Sequence, residues 1–266
     1  FKVAYIGEEE PEGNYLEFYK ILGIGEEQLI HIEKPARFQK VFVPEAGFRP
    51  CIWYTEEYQR MFDQMTESVL KDKTLKENFK NIKKIYFSRR KFGKAAATEF
   101  GEEYIEQCFN QNGYESLGPE TLTLREQIYV WNHAEAIACM NGTIPLNVVF
   151  CKNEELKLTI LNKMSIYHKN PYIYLYMRNI QAEFIDIYKE PLKGYPKSLG
   201  EGPYLIKEGK EFFDYCQREK FEIPYTGMKL KFYDLKQEIR YYLCVIGIRN
   251  KIRRVGLYIK RKMLRR

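Results

Sequence analysis

The 266-residue chain has little histidine, no closely paired cysteines, and no apolar run that would cross a bilayer. His31, His133 and His168 are its only imidazoles, too few and too dispersed for a histidine-based metal centre. Cys51, Cys108, Cys139, Cys151, Cys216 and Cys244 never form C-x-x-C, and several sit in apolar runs where a small buried thiol needs no further role. This pattern fits a reducing compartment, with neither a disulfide framework nor a zinc site. The apolar stretch "YYLCVIGI" near the C-terminus spans eight residues, against the roughly 20 that a transmembrane helix needs. No signal peptide is visible. The chain opens without Met, directly in the strand-like "FKVAYIG", which points to a fragment whose upstream part is missing.

Net basic charge is absent from most of the chain. The formal charge is +7, but nine of the 43 Lys and Arg lie between Arg249 and Arg266, a segment with no Asp or Glu. Without it, 34 basic residues face 36 acidic ones, so the body carries −2. A nucleic-acid-binding surface spread over the whole protein therefore loses its support. What is present is ordinary globular material, 45% hydrophobic and 30% charged, with aromatics at 15%, mostly Tyr. The chain is long enough for a large buried core.

The N-terminal part reads as α/β. "KVAYIG" is a strand, "YLEFYKILGI" a helix, and "QLIHI" and "KVFVP" two further strands, the last stopped by Pro44. The segment from 54 to 80 has apolar Met61, Met65, Val69 and Leu70 at helical spacing. From Lys84 the pattern becomes regular. "KIYFS" is a strand, and Phe100, Tyr104, Ile105, Cys108 and Phe109 mark a helix stopped by Asn112-Gly113. "YESLG" is a second strand. Thr123-Leu124-Arg125-Glu126 fits a capping box opening a second helix. "EAIACM" is a third strand, and the run after Asn141-Gly142-Thr143 opens a third helix. Strand and helix alternating with short connections predict a parallel sheet with right-handed crossovers. Helical material is expected to continue through "ELKLTILNKM". The stretch "YIYLYM" fits strand or helix, "SLGEGPYL" is a loop, and 208–218 is helical.

A parallel sheet brings all its strand carboxyl ends to one rim, where ligands bind. Ser88-Arg89-Arg90 follows the first regular strand and Asn141-Gly142-Thr143 follows the third, so both clusters belong on that rim. Arginine offers planar donors matched to phosphate oxygens. A glycine turn opening a helix presents free backbone N–H groups and the positive end of the dipole, and Thr143 adds a hydroxyl. A diphosphate is the anion this arrangement would take. A solvated arginine pair beside an ordinary turn accounts for the same local residues.

"KKIYFSRRK" and the segment from "ATEFGEEY" to "MNGTIPLNVVF" together resemble the core of glycosyltransferase family 61. The matching positions are Ser88, Arg89, Glu99, Gly113, Tyr114, Pro119, Leu122, Glu126, Gln127, Gly142, Thr143, Asn147 and Phe150. The similarity extends upstream to cover about residues 1–150. The resemblance implies a GT-B architecture, two Rossmann-like domains with parallel sheets facing across a cleft. It also implies an inverting, metal-independent transfer with no cofactor beyond the nucleoside diphosphate sugar that serves as donor. Under it, Ser88, Arg89, Arg90, Asn141, Gly142 and Thr143 bind the donor diphosphate, and Glu126, Gln127 and Asn147 shape the same pocket. Many family members carry a histidine in or just after the glycine turn. This chain has none there, so no role of that histidine transfers and no base is assigned. His31 and Asp63 lie in the acceptor half but read as structural or exposed.

In the tail, Ile248, Ile252, Val255, Ile259 and Met263 share one helical stripe ringed by nine cations. This suits a helix lying on an anionic membrane surface; a helix docked on its own domain fits the same stripe. The expected organisation is a partial acceptor-side domain over 1–80, a donor-binding domain over 81–235 and a basic tail over 236–266. The function that the family resemblance implies, with the tail, is a cytoplasmic transferase, peripheral on the inner membrane face, that extends a bacterial capsular or other surface polysaccharide. Its partners are then a sugar nucleotide, a glycan or lipid-linked glycan and the membrane, not nucleic acid. The rival expectation is a catalytically silent sugar-nucleotide-binding scaffold.

Overall fold

A computed structural model describes residues 1–7, 10–190 and 202–247. The tail from 248 onward and residues 198–201 of the "SLGEGPYL" loop lie outside the described residues, and the end of that stretch, Tyr204–Leu205, is strand and not loop, because it pairs with Glu99–Phe100. At the N-terminus, Val3–Tyr5 (β1) pairs in parallel with Leu29–His31 (β2), and helix Gly13–Ile21 (α1) lies between them in sequence. Phe48–Arg49 (β3) and Trp53–Tyr54 (β4) form a small antiparallel pair. The strand expected over Val41–Pro44 does not form. Val41, Phe42 and Val43 are exposed coil, because no neighbouring strand offers these apolar residues a ladder.

The amphipathic segment over 54–80 divides into Glu56–Leu70 (α2) and Lys73–Phe79 (α3). Thr55 Oγ1 caps α2 by accepting from Tyr58 N–H at 3.2 Å. The break falls at Asp72, whose carboxylate accepts from the N–H groups of Thr74 and Leu75 and so starts α3 afresh. Phe62, Met65 and Val69 face inward, while Leu70 is exposed.

The regular part follows as Lys84–Phe87 (β5), Gly93–Thr98 (α4), Glu99–Phe100 (β6), Glu102–Gln111 (α5), Glu115–Leu117 (β7), Leu124–His133 (α6) and Ala136–Met140 (β8). Then come Lys157–Asn162 (β9), Asn170–Arg178 (α7), Ala182–Asp186 (β10), Tyr204–Leu205 (β11), Lys210–Arg218 (α8) and Gly227–Val245 (α9). Phe100 lies in β6, paired with β11, and not in the helix that its spacing predicts. Gly101 separates the two elements with φ +106°. A Cβ there would lie 1.9 Å from the Ile206 carbonyl oxygen, so only glycine lets the backbones approach.

Five strands form one parallel sheet in the order β10-β9-β8-β5-β7. Phe87 lies beside Cys139, and Cys139 beside Ile160. β9 corrects the helix expected over "ELKLTILNKM". Leu158 to Asn162 are all buried, so both faces are covered and the period-2 signature of a strand is erased. "YIYLYM" resolves as helix α7.

Both faces of the sheet are packed. On one, α2, α3, α6 and α7 enclose Ile85, Phe87, Ile137 and Ile160. On the other, α5 and α8 bury Tyr86, Ala138, Met140 and Leu161. The N-terminal unit is tied to α6 by Glu17, whose Oε2 accepts from Leu124 N–H at 2.6 Å. Among the described residues, no helix is long and apolar enough to cross a membrane.

Candidate functional site

The strand order creates a place for a ligand. From β5 the chain moves to β7 on one flank, then crosses back to β8 on the other. The loops after β5 and β8 therefore diverge, and a crevice opens between them at the carboxyl rim. A cavity of about 610 Å³ occupies this crevice, a size in the usual range for small-molecule sites. Arg89, Gln127, Gly142, Thr143 and Asn147, all expected on sequence grounds, line it.

These side chains are held from behind. The capping box at the start of α6 forms as expected: Thr123 Oγ1 accepts from Glu126 N–H, and Glu126 Oε2 accepts from Thr123 N–H at 2.8 Å. One turn on, Gln127 Nε2 donates to the carbonyls of Pro119 and Leu122, both at 3.1 Å. Its Oε1 accepts from Asn147 Nδ2 at 2.8 Å. The α6 cap thus fixes Gln127, and Gln127 fixes Asn147.

Four expected residues do not line the cavity. Ser88 is buried and accepts from Arg90 N–H. Arg90 turns away to Glu106, at 2.7 Å, and to Glu103. Glu126 is spent in the capping box. Asn141 is 1% exposed, donating from Nδ2 to Asn162 Oδ1 at 2.8 Å. Although Asn141-Gly142-Thr143 matches an N-x-T glycosylation triplet, this burial closes Asn141 to modification in the folded chain. The segment after the turn is a seven-residue 3₁₀ helix, Ile144–Phe150, with Pro145 in its first turn. The expected α-helix dipole at Gly142 is therefore not available, and local N–H groups and the Thr143 hydroxyl remain.

The structure adds Lys163, His168 and Tyr204, which sequence reasoning missed, and Glu99, which matched the family core without being given a site role. Glu99, Lys163, His168 and Tyr204 line the same cavity. Glu99 receives Arg89 Nε at 3.2–3.3 Å and Lys163 Nζ at 2.7 Å. Burial lowers the Lys163 pKa, opposed by the Glu99 carboxylate. His168 Nδ1 is buried without a hydrogen-bond partner. Beneath the rim, Glu102 Oε1 accepts from Arg89 N–H at 2.8 Å and from the Tyr86 hydroxyl at 3.2 Å. Burial pushes its pKa up to about 7 despite the Arg89 hydrogen bond.

A signal for Lys163 existed. Once Lys157–Asn162 is read as a strand, Lys163 falls at the same rim as Asn141. Nothing in local sequence points to His168 or Tyr204. His31 and Asp63 are structural: His31 Nε2 lies 2.9 Å from the Gly7 carbonyl, and Asp63 pairs with Arg178. Chemically, the cavity wall holds the buried cation Lys163, the half-buried Arg89 and the exposed Lys94, against the carboxylates of Glu99 and Glu120.

The family model of glycosyltransferase 61 matches residues 27–161, half of the chain. The matched segment includes the rim residues from Arg89 to Asn147. No curated protein matches the chain.

Proposed function

The chain belongs to glycosyltransferase family 61, and from that premise we propose that it moves a sugar from a nucleoside diphosphate sugar onto a growing capsular or other surface glycan. One observation carries the donor site: the matched segment delivers Arg89, Gln127, Gly142, Thr143 and Asn147 to one cavity at the switch point of the sheet. Arg89 binds the diphosphate, with N–H groups at Gly142 and Thr143 and the Thr143 hydroxyl as neutral donors. Gln127 and Asn147 shape the wall. The acceptor hydroxyl attacks the anomeric carbon, the bond from that carbon to the diphosphate oxygen breaks, and the configuration inverts. Fixed cations stabilise the departing charge without a metal, and a base takes the hydroxyl proton.

In this reading the protein is GT-B-like. Residues 1–80 contribute to the acceptor side, with α2 and α3 packed on the donor core, 81–235 form the donor side, and 236–266 form the tail, which begins within α9, where Tyr241 packs on Phe100 and Leu205. The tail holds the enzyme on the inner face of the bacterial cytoplasmic membrane. A second reading, a silent sugar-nucleotide scaffold, draws on Glu99: the most buried carboxylate of the cavity is shared by two cations and is a poor base. Turnover of a bound donor excludes that reading.

Calorimetric titration with UDP, GDP, CDP and dTDP tests the donor site. The wild type is expected to select one of them. Arg89→Ala loses a charge-assisted pair of about 1.5–3 kcal/mol, roughly 10- to 150-fold in affinity. Binding of none of the four would sink the proposal.

A further inference from the structure

Helix α9 is apolar on two opposite faces. Leu230 and Tyr241 turn inward with Gln237, and Tyr241 packs on Phe100 and Leu205. On the other side Met228, Phe232, Leu235, Ile239, Tyr242 and Ile246 recur at steps of four and three residues. With about 3.6 residues per turn, these steps keep them in one stripe that faces away from the core. Each of the six is between 37% and 66% exposed. Single apolar residues on a surface need no explanation, but a contiguous stripe of this length marks a contact with a protein or a membrane.

The charges beside the stripe decide between the two. Lys229, Lys231 and Lys236 are exposed along its flanks. The acidic residues of α9, Asp234 and Glu238, turn to Lys207 and Lys189, each at 3.0 Å, and give the stripe no negative rim. A second copy packed stripe to stripe brings like charges together at the flanks, where a helix pair needs opposite ones. The chain's own tail is disfavoured for the same reason, since nine Lys and Arg and no Asp or Glu lie between Arg249 and Arg266. Cations flanking an apolar stripe match an anionic lipid surface, with the apolar side chains at the acyl boundary and the lysines among the headgroups.

We infer that the outward face of α9 is the surface that seats the protein on an anionic bilayer. The inference rests on the tail-anchor reading above and deepens it: the tail cations draw the chain to the membrane, and the α9 stripe inserts. That seating sets the cavity beside the bilayer. The β6–β11 pair lies between the two, with Glu99 and Tyr204 lining the cavity and their neighbours Phe100 and Leu205 packed under α9. An acceptor glycan carried on a membrane lipid then has a short path to the cavity.

The test uses the full chain with vesicles of phosphatidylcholine, with and without phosphatidylglycerol. In Phe232→Trp the added indole is expected to shift its emission to the blue on the anionic vesicles. Lipids brominated on the acyl chain are expected to quench it, once the wild-type signal of Trp53 and Trp131 is subtracted. Phe232→Ser/Ile239→Ser is expected to weaken vesicle affinity roughly 10- to 100-fold. Its thermal midpoint should match wild type, because both side chains face away from the core. If the full chain sediments with anionic vesicles while position 232 stays unquenched, or while the double serine variant binds as tightly as wild type, the α9 face falls and the tail anchor stands. Failure of the wild type to sediment with anionic vesicles removes both. Dimerisation of the wild type without lipid, abolished in the double variant, would assign the stripe to a second copy and overturn the inference.

Discussion

Glu102 lies one layer beneath the cavity, where its carboxyl oxygen receives the backbone N–H of Arg89. Burial raises its pKa from 4.5 to about 7. The folded state therefore holds the proton more tightly than the unfolded chain does. This contribution to stability is full below about pH 4.5 and is lost as pH rises through about 7. Glu102→Gln keeps an acceptor for Arg89 without the charge. It is expected to match wild type near pH 4.5 and to exceed it by up to about 3 kcal/mol at pH 8, read by urea unfolding across that range. A variant less stable than wild type at pH 8 would show that the ionised carboxylate is the favoured form. The same neighbourhood separates Arg89 from Arg90, which local residue pattern treats alike and only the family resemblance ranked. Both follow β5, but Arg89 meets Glu99 at the cavity while Arg90 meets Glu103 and Glu106 on α5. Only the placement of those carboxylates separates the two.

Among the elements, α6 was the most legible, because its start signal is local. Thr123 and Glu126 satisfy two orphan N–H groups between themselves, whatever the rest of the chain does. Thr123→Ala is expected to cost about 1 kcal/mol. The urea midpoint should fall with the slope unchanged, and donor affinity should weaken because Gln127 and Asn147 follow the first turn of α6. An unaltered midpoint would mean that solvent caps the helix equally well. β9 was illegible for the opposite reason. A strand covered on both faces carries no alternation, and six residues are too few to show a period. Misreading it hid Lys163. Val41–Val43 erred the other way, since strand-forming residues make no strand without a neighbour. After Thr143 the early proline and short span gave a 3₁₀ turn in place of an α-helix.

At the scale of the molecule, charge is segregated: the body is nearly neutral and the tail carries nine cations. If the tail is the proposed membrane anchor, the whole chain should co-sediment with vesicles containing anionic phospholipid and be released by salt. A chain ending at Ile248 should not co-sediment. Binding that survives the truncation, or that is equal on neutral vesicles, would remove the tail from that role. The sequence by itself determined the parallel α/β class, the family and the presence of Arg89 and the glycine turn at one rim, because these follow from local periodicity, caps and the shared direction of parallel strands. Tertiary structure alone decided which rim residues face the cavity and that β6, β9 and β11 bring Glu99, Lys163 and Tyr204 to Arg89. Contacts between residues more than 40 positions apart depend on sheet order and packing, which no short window of sequence encodes.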